Sequence, residues 1–464
     1  MIGTAAQIAA QISQGARSAA SVLADAKALI AARNPELNCF TATTFERAAR
    51  EAAAIDDLRA QGRGLPPLAG VPFAVKNLFD VEAMVTLAGA KINAGNAAAA
   101  ADATIVSRLS RAGAILVGAL NMEELAYGFL TENHHYGVTR NPRDRTRGAG
   151  GSSGGSAAAV GAGMVPITLG SDTSGSIRVP ASLCGVFGLK PTYGRLSRTG
   201  TYPFVNSFDH VGPFASDVLG LALAYDAMQG PDPDDPACAQ RPVEPVSTAL
   251  ALPRGLRIGI LGGWFHDWAD PAARRSVQLA AAALGATQWA ELKHAEVARA
   301  AAYIITGAEG GALHRPRLLE QYEDFGPASR ARLVAGSLIP ASWVVQAQRV
   351  RRQAYLEAVA LFDRFDLLIA AAAPAVAPRV GQETLLINGR SIATKAGLGV
   401  LTQPISCIGL PVCTVPVWPG EGETPEEREL PVGVQIIGAP WREDLCLAAA
   451  RTLEQAAIAE IRLR

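Results

Sequence analysis

From Ala5 to about Arg63 the chain is alanine-rich, and its charged positions gather on one face of a helical period. This spacing predicts helix beginning near Thr4 and broken at the NPEL step of Asn34 to Leu37. The register then changes. In LPPLAGVPFAVKNLFDV, Val71, Phe73 and Val75 alternate with Ala74 and Lys76, which predicts a short buried strand. A helix is expected over Ala103 to Ala112, a strand over AILVGAL, and another helix from about Met122. Farther on, LRIGILGGW, DLLIAAAAP, LPVCTVPVW and LPVGVQIIG read as strands. Residues 275–365 read as largely helical, and REDLCLAAARTLEQAA as a closing helix. Such alternation predicts an α/β layered fold. The proline-rich, polar segment 231–246, PDPDDPACAQRPVEPV, reads as an exposed connector. Strand-like segments lie on both sides of it, so one sheet built from both halves is expected rather than two domains.

Composition narrows the function classes. The 464 residues are 49% hydrophobic, and 42 basic residues balance 42 acidic ones. A chain of this length buries a large core, and its composition is not that of a disordered one. Zero net charge offers no electrostatic case for wrapping nucleic acid or coating an anionic membrane. No apolar run reaches the ~18 residues of a membrane span, and the N-terminal stretch lacks the basic flank of a signal peptide. A cytoplasmic protein is expected. Cys39, Cys184, Cys238, Cys407, Cys413 and Cys446 are scattered and form no C-x-x-C pair, which reads as reduced thiols.

The informative segment is RGAGGSSGGSAAAVGAGMVPITLGSDTSGSIRVPASLCGVFGLKPTYGRLS. A flexible linker would not carry the core-like flanks AAAVGAGMVPITLG and SLCGVFGLKP. A Walker loop needs Gly-Lys-Ser/Thr, which is absent; Gly148 and Gly150 begin a dinucleotide fingerprint, but Ser153 holds its last position. A serine-based site fits better, because glycines let backbone approach a substrate and leave N–H groups free to bind an anion. Two serine clusters occur, Ser152–Ser153 and Ser174–Ser176. None of the histidines (134, 135, 210, 266, 294 and 314) has a triad context, so another base is needed, and lysine is the established substitute.

The strings GGSSGGSAAA, SDTSGSIR-x-P and CGVFGLKPTYGRLS, with GVPFAVKNLFDV upstream, resemble the amidase signature family of serine hydrolases. The resemblance runs from about residue 5 to residue 460. It implies one domain over residues 1–464, with a single large mixed β-sheet covered by helices on both faces. By motif it implies Ser176 as nucleophile, Ser152 as bridging serine and Lys76 as base, with a cis peptide at Gly151–Ser152. The backbone N–H groups of Thr173, Ser174, Gly175 and Ser176 are implied as the oxyanion hole. No metal or cofactor is implied. A free lysine, with a pKa of about 10.4, is charged at neutral pH, so this role requires burial, which an apolar strand around Lys76 would supply. Most members carry Gly-Gly-Ser before the nucleophile, whereas this chain has Ser174-Gly175-Ser176. Ser174 is therefore either a substrate contact or a space filler.

Two further positions bear on the substrate. The resemblance is nearest to carboxybiuret hydrolysis in s-triazine breakdown, and next to the tRNA-dependent glutaminase subunits (TENHHYGVTRNP, KPTYGRLSRTG). AQRVR places Arg351 where the glutaminases are expected to clamp a substrate carboxylate. KAGLGVLTQPISCIGLP places Gly399 where they carry an aspartate for the α-amino group. That combination implies a small anionic amide of the 1-carboxybiuret type, with a glutaminase subunit or an inactive scaffold as alternatives. Arg178 is expected in a structural ion pair. The resemblance also implies a homodimer and a small helical accessory subunit within a larger complex, with no nucleic acid and no membrane.

Overall fold

The computed structural model describes residues 2–422 and 424–463. Its first half supplies strands β1 (Phe40–Thr43), β2 (Pro72–Lys76), β3 (Ile115–Leu120), β4 (Ile167–Asp172), β5 (Phe187–Lys190) and β6 (His210–Ala215). The second half supplies β7 (Ile258–Leu261), β8 (Gln288–Ala290), β9 (Leu367–Ala371), β10 (Val412–Val415) and β11 (Val434–Gly438). All join one 11-stranded sheet in the order β1-β3-β2-β4-β6-β5-β10-β11-β9-β7-β8. Pairing is parallel for β2 with β3 and β4 and for β7 with β8 and β9, and antiparallel elsewhere. The antiparallel pair β5–β10 joins the two halves, which makes the sheet mixed and single.

The central strands are buried at every residue, as in β2, β3, β4 and β6. Helix-covered strands lose the alternation of a half-exposed sheet and become continuous apolar runs. Helix Phe45–Ala60 packs against β3, Val218–Met228 against β6, and Glu443–Gln455 against β10 and β11. The first helix, Ala5–Ser13, starts where expected, with a capping box between Thr4 and Gln7.

Several expected boundaries move. The helix Ala19–Leu37 runs through Pro35 and stops at Asn38, which takes a left-handed φ of 53°. Pro35 leaves the Ala31 carbonyl without a donor, and Ala31 is exposed to solvent, so the helix tolerates it. The Asn34 side chain then accepts from the Cys39 and Phe40 N–H groups and launches β1, a strand inside the stretch expected to be helical. The helix expected from Met122 is only a single turn, Glu124–Ala126, with positive φ at Leu125 and Ala126. Tertiary bonds take over there: Leu125 N–H donates to Ala88, and the Glu123 carboxylate accepts from Thr131. The segment 231–246 is pinned as well as exposed. Asp232 and Asp235 are buried, the first accepting from Thr104 and Ser197 and the second from Arg198. Among the described residues, no helix is long and apolar enough to cross a membrane.

Candidate active site

Lys76 is the last residue of β2, and its side chain is fully buried. Its Nζ lies 2.7 Å from Ser152 Oγ and 2.9 Å from Ser171 Oγ. Burial pushes the Lys76 ammonium down to about 7, against the opposing pull of Asp172, Asp209 and Glu123. Ser152 follows a cis peptide at Gly151 and precedes the fully buried helix Gly154–Gly161. That helix sits close because glycine lines its approach. A Cβ on Gly155 would lie 2.5 Å from the Asn121 carbonyl oxygen and 2.7 Å from the Cys39 one.

The second serine cluster leaves the end of β4. Asp172 closes the strand and Arg178 opens the next helix, and the two form a fully buried ion pair at 2.9 Å. Burial alone would raise the Asp172 carboxyl, but the Arg178 guanidinium overrides it and holds the group well below the usual carboxylate range. Arg178 also donates to the Thr402 carbonyl and to Gln435, so it ties this turn to β11 and to the start of the helix Gln403–Ile408. Arg178 thus sits in the ion pair expected of it, not among the residues lining the Ser176 cavity. Within the turn, Gly175 has φ of 139°, and a Cβ there would meet Thr402 Oγ1 at 2.2 Å. That hydroxyl donates to the Ser174 carbonyl. Among the described residues nothing accepts from the backbone N–H groups of Thr173, Ser174, Gly175 or Ser176. Four adjacent backbone donors of this turn are thus left without an acceptor in the fold.

Thr173, Ser174 and Ser176 open into one cavity, whose walls include Tyr127, Phe129 and Arg332. Arg332 was not singled out in the sequence, where it falls within the largely helical stretch 275–365. Its guanidinium lies 3.5 Å over the Tyr127 ring and donates to the Tyr127 carbonyl at 2.8 Å. Gly399 stands behind Phe129, and a Cβ there would reach that ring at 2.4 Å. No histidine, aspartate or glutamate lines the cavity among the described residues. Arg351 is not brought to this cavity. It lines a different one, its guanidinium bound to the Cys407 and Ser207 carbonyls.

Comparison with known proteins follows the same lines. The amidase family model matches residues 22–447. The chain is 54% identical to AtzE, a component of the 1-carboxybiuret hydrolase of Pseudomonas sp. (strain ADP), covering 97% of this chain and 98% of that one. It is 39% identical to a glutamyl-tRNA(Gln) amidotransferase subunit of Chloroflexus aurantiacus, covering 95% and 93%. Among solved structures, it superposes with a TM-score of 0.97 and 54% identity on a chain from a vestigial protein complex bearing on the origins of an s-triazine catabolic enzyme. That match covers 99% of this chain and 100% of the other.

Proposed function

This chain belongs to the amidase signature family, and on that premise we propose that it hydrolyses a small carboxylated amide of the 1-carboxybiuret type through Lys76, Ser152 and Ser176. The contact that carries the reading is Lys76 Nζ against Ser152 Oγ at 2.7 Å, in a site where burial favours the neutral amine. In that state the Nζ lone pair accepts the Ser152 hydroxyl proton, while a Lys76 N–H donates to Ser171. Ser152 in turn takes the proton of Ser176, whose oxygen attacks the amide carbon. The N–H groups of residues 173–176 hold the carbonyl oxygen as it gains charge. The relay returns the proton to the departing nitrogen, ammonia leaves, and water hydrolyses the acyl-enzyme by the same path.

Substrate choice follows from charge. Arg332 is the cation of the cavity and suits a substrate carboxylate, the role expected of Arg351 from sequence. Among the described residues nothing acidic lines the cavity to receive an α-ammonium, and Phe129 fills the space beside Gly399. An anionic amide without an amine therefore fits better than glutamine, the substrate of the alternative reading. Similarity to AtzE at 54% identity over nearly the whole chain supports the same substrate. A homodimer and a small helical accessory subunit are proposed alongside it, supported by the relative that was solved as part of a protein complex. Ammonia release from 1-carboxybiuret, biuret, malonamate and glutamine, with Ser176→Ala as blank, tests the reading. Turnover of 1-carboxybiuret and none of glutamine is expected; preference for glutamine would replace it with the glutaminase function.

A further inference from the structure

Arg351 lies on the helix Ala341–Leu361, away from the amide cavity. Gln348, Arg351, Arg352 and Tyr355 fall at i, i+3, i+4 and i+7 on that helix, one continuous stripe. All four line a cavity of about 400 Å³, together with Tyr193 and Trp441 from other parts of the chain. This cavity shares no lining residue with the one that holds Ser176.

The donors on the stripe are placed but not consumed. Arg351 is fixed by Nε to the Cys407 carbonyl at 2.8 Å, by Nη2 to the Ser207 carbonyl at 2.9 Å, and by the Phe208 ring 4.5 Å beneath it. Its Nη1 has no acceptor among the described residues. Arg352 lies over the Tyr355 ring, and neither its guanidinium nor the Gln348 amide makes a hydrogen bond among those residues. No carboxylate of the described residues comes within 4.0 Å of either guanidinium. Two adjacent cations with no carboxylate in contact, one of them half-buried, leave Arg351 Nη1 and the Arg352 guanidinium able to make charge-assisted contacts with an anion. Aromatic rings beside them provide apolar surface for the rest of a ligand, and the volume lies in the range of small-molecule sites, about 300–1,000 Å³.

We propose that this cavity is a second ligand site, which takes a small carboxylate borne on an aromatic or apolar body. The carboxylate sits between Arg351 Nη1 and the Arg352 guanidinium, with the Gln348 amide as third donor. Tyr193, Tyr355 and Trp441 cover the body. The site adjoins the amide cavity through a short segment: Ser207, held by Arg351, is two residues from Asp209, which accepts from Thr173 Oγ1 at 2.6 Å.

Benzoate binding to the full chain, followed by calorimetry, tests this. Arg332→Ala removes the carboxylate contact proposed for the amide cavity; benzoate binding is expected to persist in it, and it serves as the background for the comparisons that follow. The double variant Gln348→Leu, Arg352→Gln removes side chains that make no hydrogen bond in the fold, so its melting temperature is expected to match wild type. Its benzoate affinity is expected to fall roughly tenfold or more, the loss of a charge-assisted contact. Benzamide, the same body without the charge, is expected not to bind there. Absence of benzoate binding, binding unchanged in the double variant, binding lost in Arg332→Ala, or equal binding of benzamide would each overturn the proposal.

Discussion

Lys76 is fully buried beside two hydroxyl partners, and the burial sets its protonation. An exposed lysine would stay charged through the neutral range; burial brings this one to about 7. If its neutral form is the base, kcat/KM rises with pH through an apparent pKa of about 7 and levels off above it. A profile flat between pH 6 and pH 8 would remove Lys76 from that role. Arg332→Ala is expected to raise KM for a carboxylated amide by roughly tenfold or more, with a smaller change in kcat, because the lost contact is to a group remote from the scissile bond. Kinetics of the same variant on an uncharged amide such as biuret should move far less. Lys76 and the serines were legible in the sequence because long motifs carry them. Arg332 was not, since nothing in SRARLVAG marks one arginine as facing a cavity. Arg351 stood out by motif, yet its guanidinium serves the Ser207 and Cys407 carbonyls.

At the scale of elements, the site depends on how closely the helix Gly154–Gly161 approaches the turn after β3. Gly155 N–H donates to the Asn121 carbonyl at 3.0 Å, and a Cβ on Gly155 would press on that same carbonyl. Backbone cannot rotate away as a side chain does, so Gly155→Ala is expected to destabilise the fold by ~1–3 kcal/mol. It should also lower activity, because Ser152 lies just before this helix; chemical denaturation and ammonia release measure the two effects. Six strand positions were readable from apolar runs, and β2, β3, β7, β9, β10 and β11 lie where those runs fall. The central strands β4, β5 and β6 were not read, because they lie in or beside the Gly/Ser-rich stretch, where glycine, serine and proline interrupt the apolar run. Nor were the edge strands β1 and β8, of four and three residues, which form because a neighbouring edge offers unpaired hydrogen-bond groups. The turn at Glu124–Ala126 escaped for a related reason: its backbone bonds to Ala88, far away in sequence, in place of a local helix.

Over the whole molecule, buried titratable groups make stability a function of pH. Lys190 resembles Lys76: burial, reinforced by Arg178, brings it to about 7, while its Nζ donates to the Pro191 and Leu410 carbonyls. Above pH 7 both lysines are neutral in the folded chain and still protonated in the unfolded one, whose lysines titrate near 10.5. Unfolding then takes up protons, so stability rises with pH. Burial acts on the thiols in the opposite sense, pushing Cys184 and Cys407 up to about 12 from the ordinary 9.0. Once pH passes that ordinary value, unfolded thiols ionise and folded ones do not, and stability falls. Tm is therefore expected to climb from pH 7, peak near roughly pH 9 and decline beyond it. Scanning calorimetry across that range checks this, and a Tm that falls steadily from pH 7 would contradict the burial of both lysines.

The sequence by itself determined the family, the α/β class, six of the sheet's strands and the order of the serine motifs. Those properties are written in local patterns: apolar runs, glycine spacing and contiguous strings. Only the tertiary structure decided which charged side chain faces which cavity. A guanidinium's partners come from segments as distant as Arg332 and Tyr127, or Arg351 and Ser207, and no local pattern records them. It likewise decided that Gly399 backs onto Phe129, where shape and not composition excludes an acidic side chain. Nearness in space depends on the closed sheet, and the sheet joins β5 to β10 across nearly half of the chain.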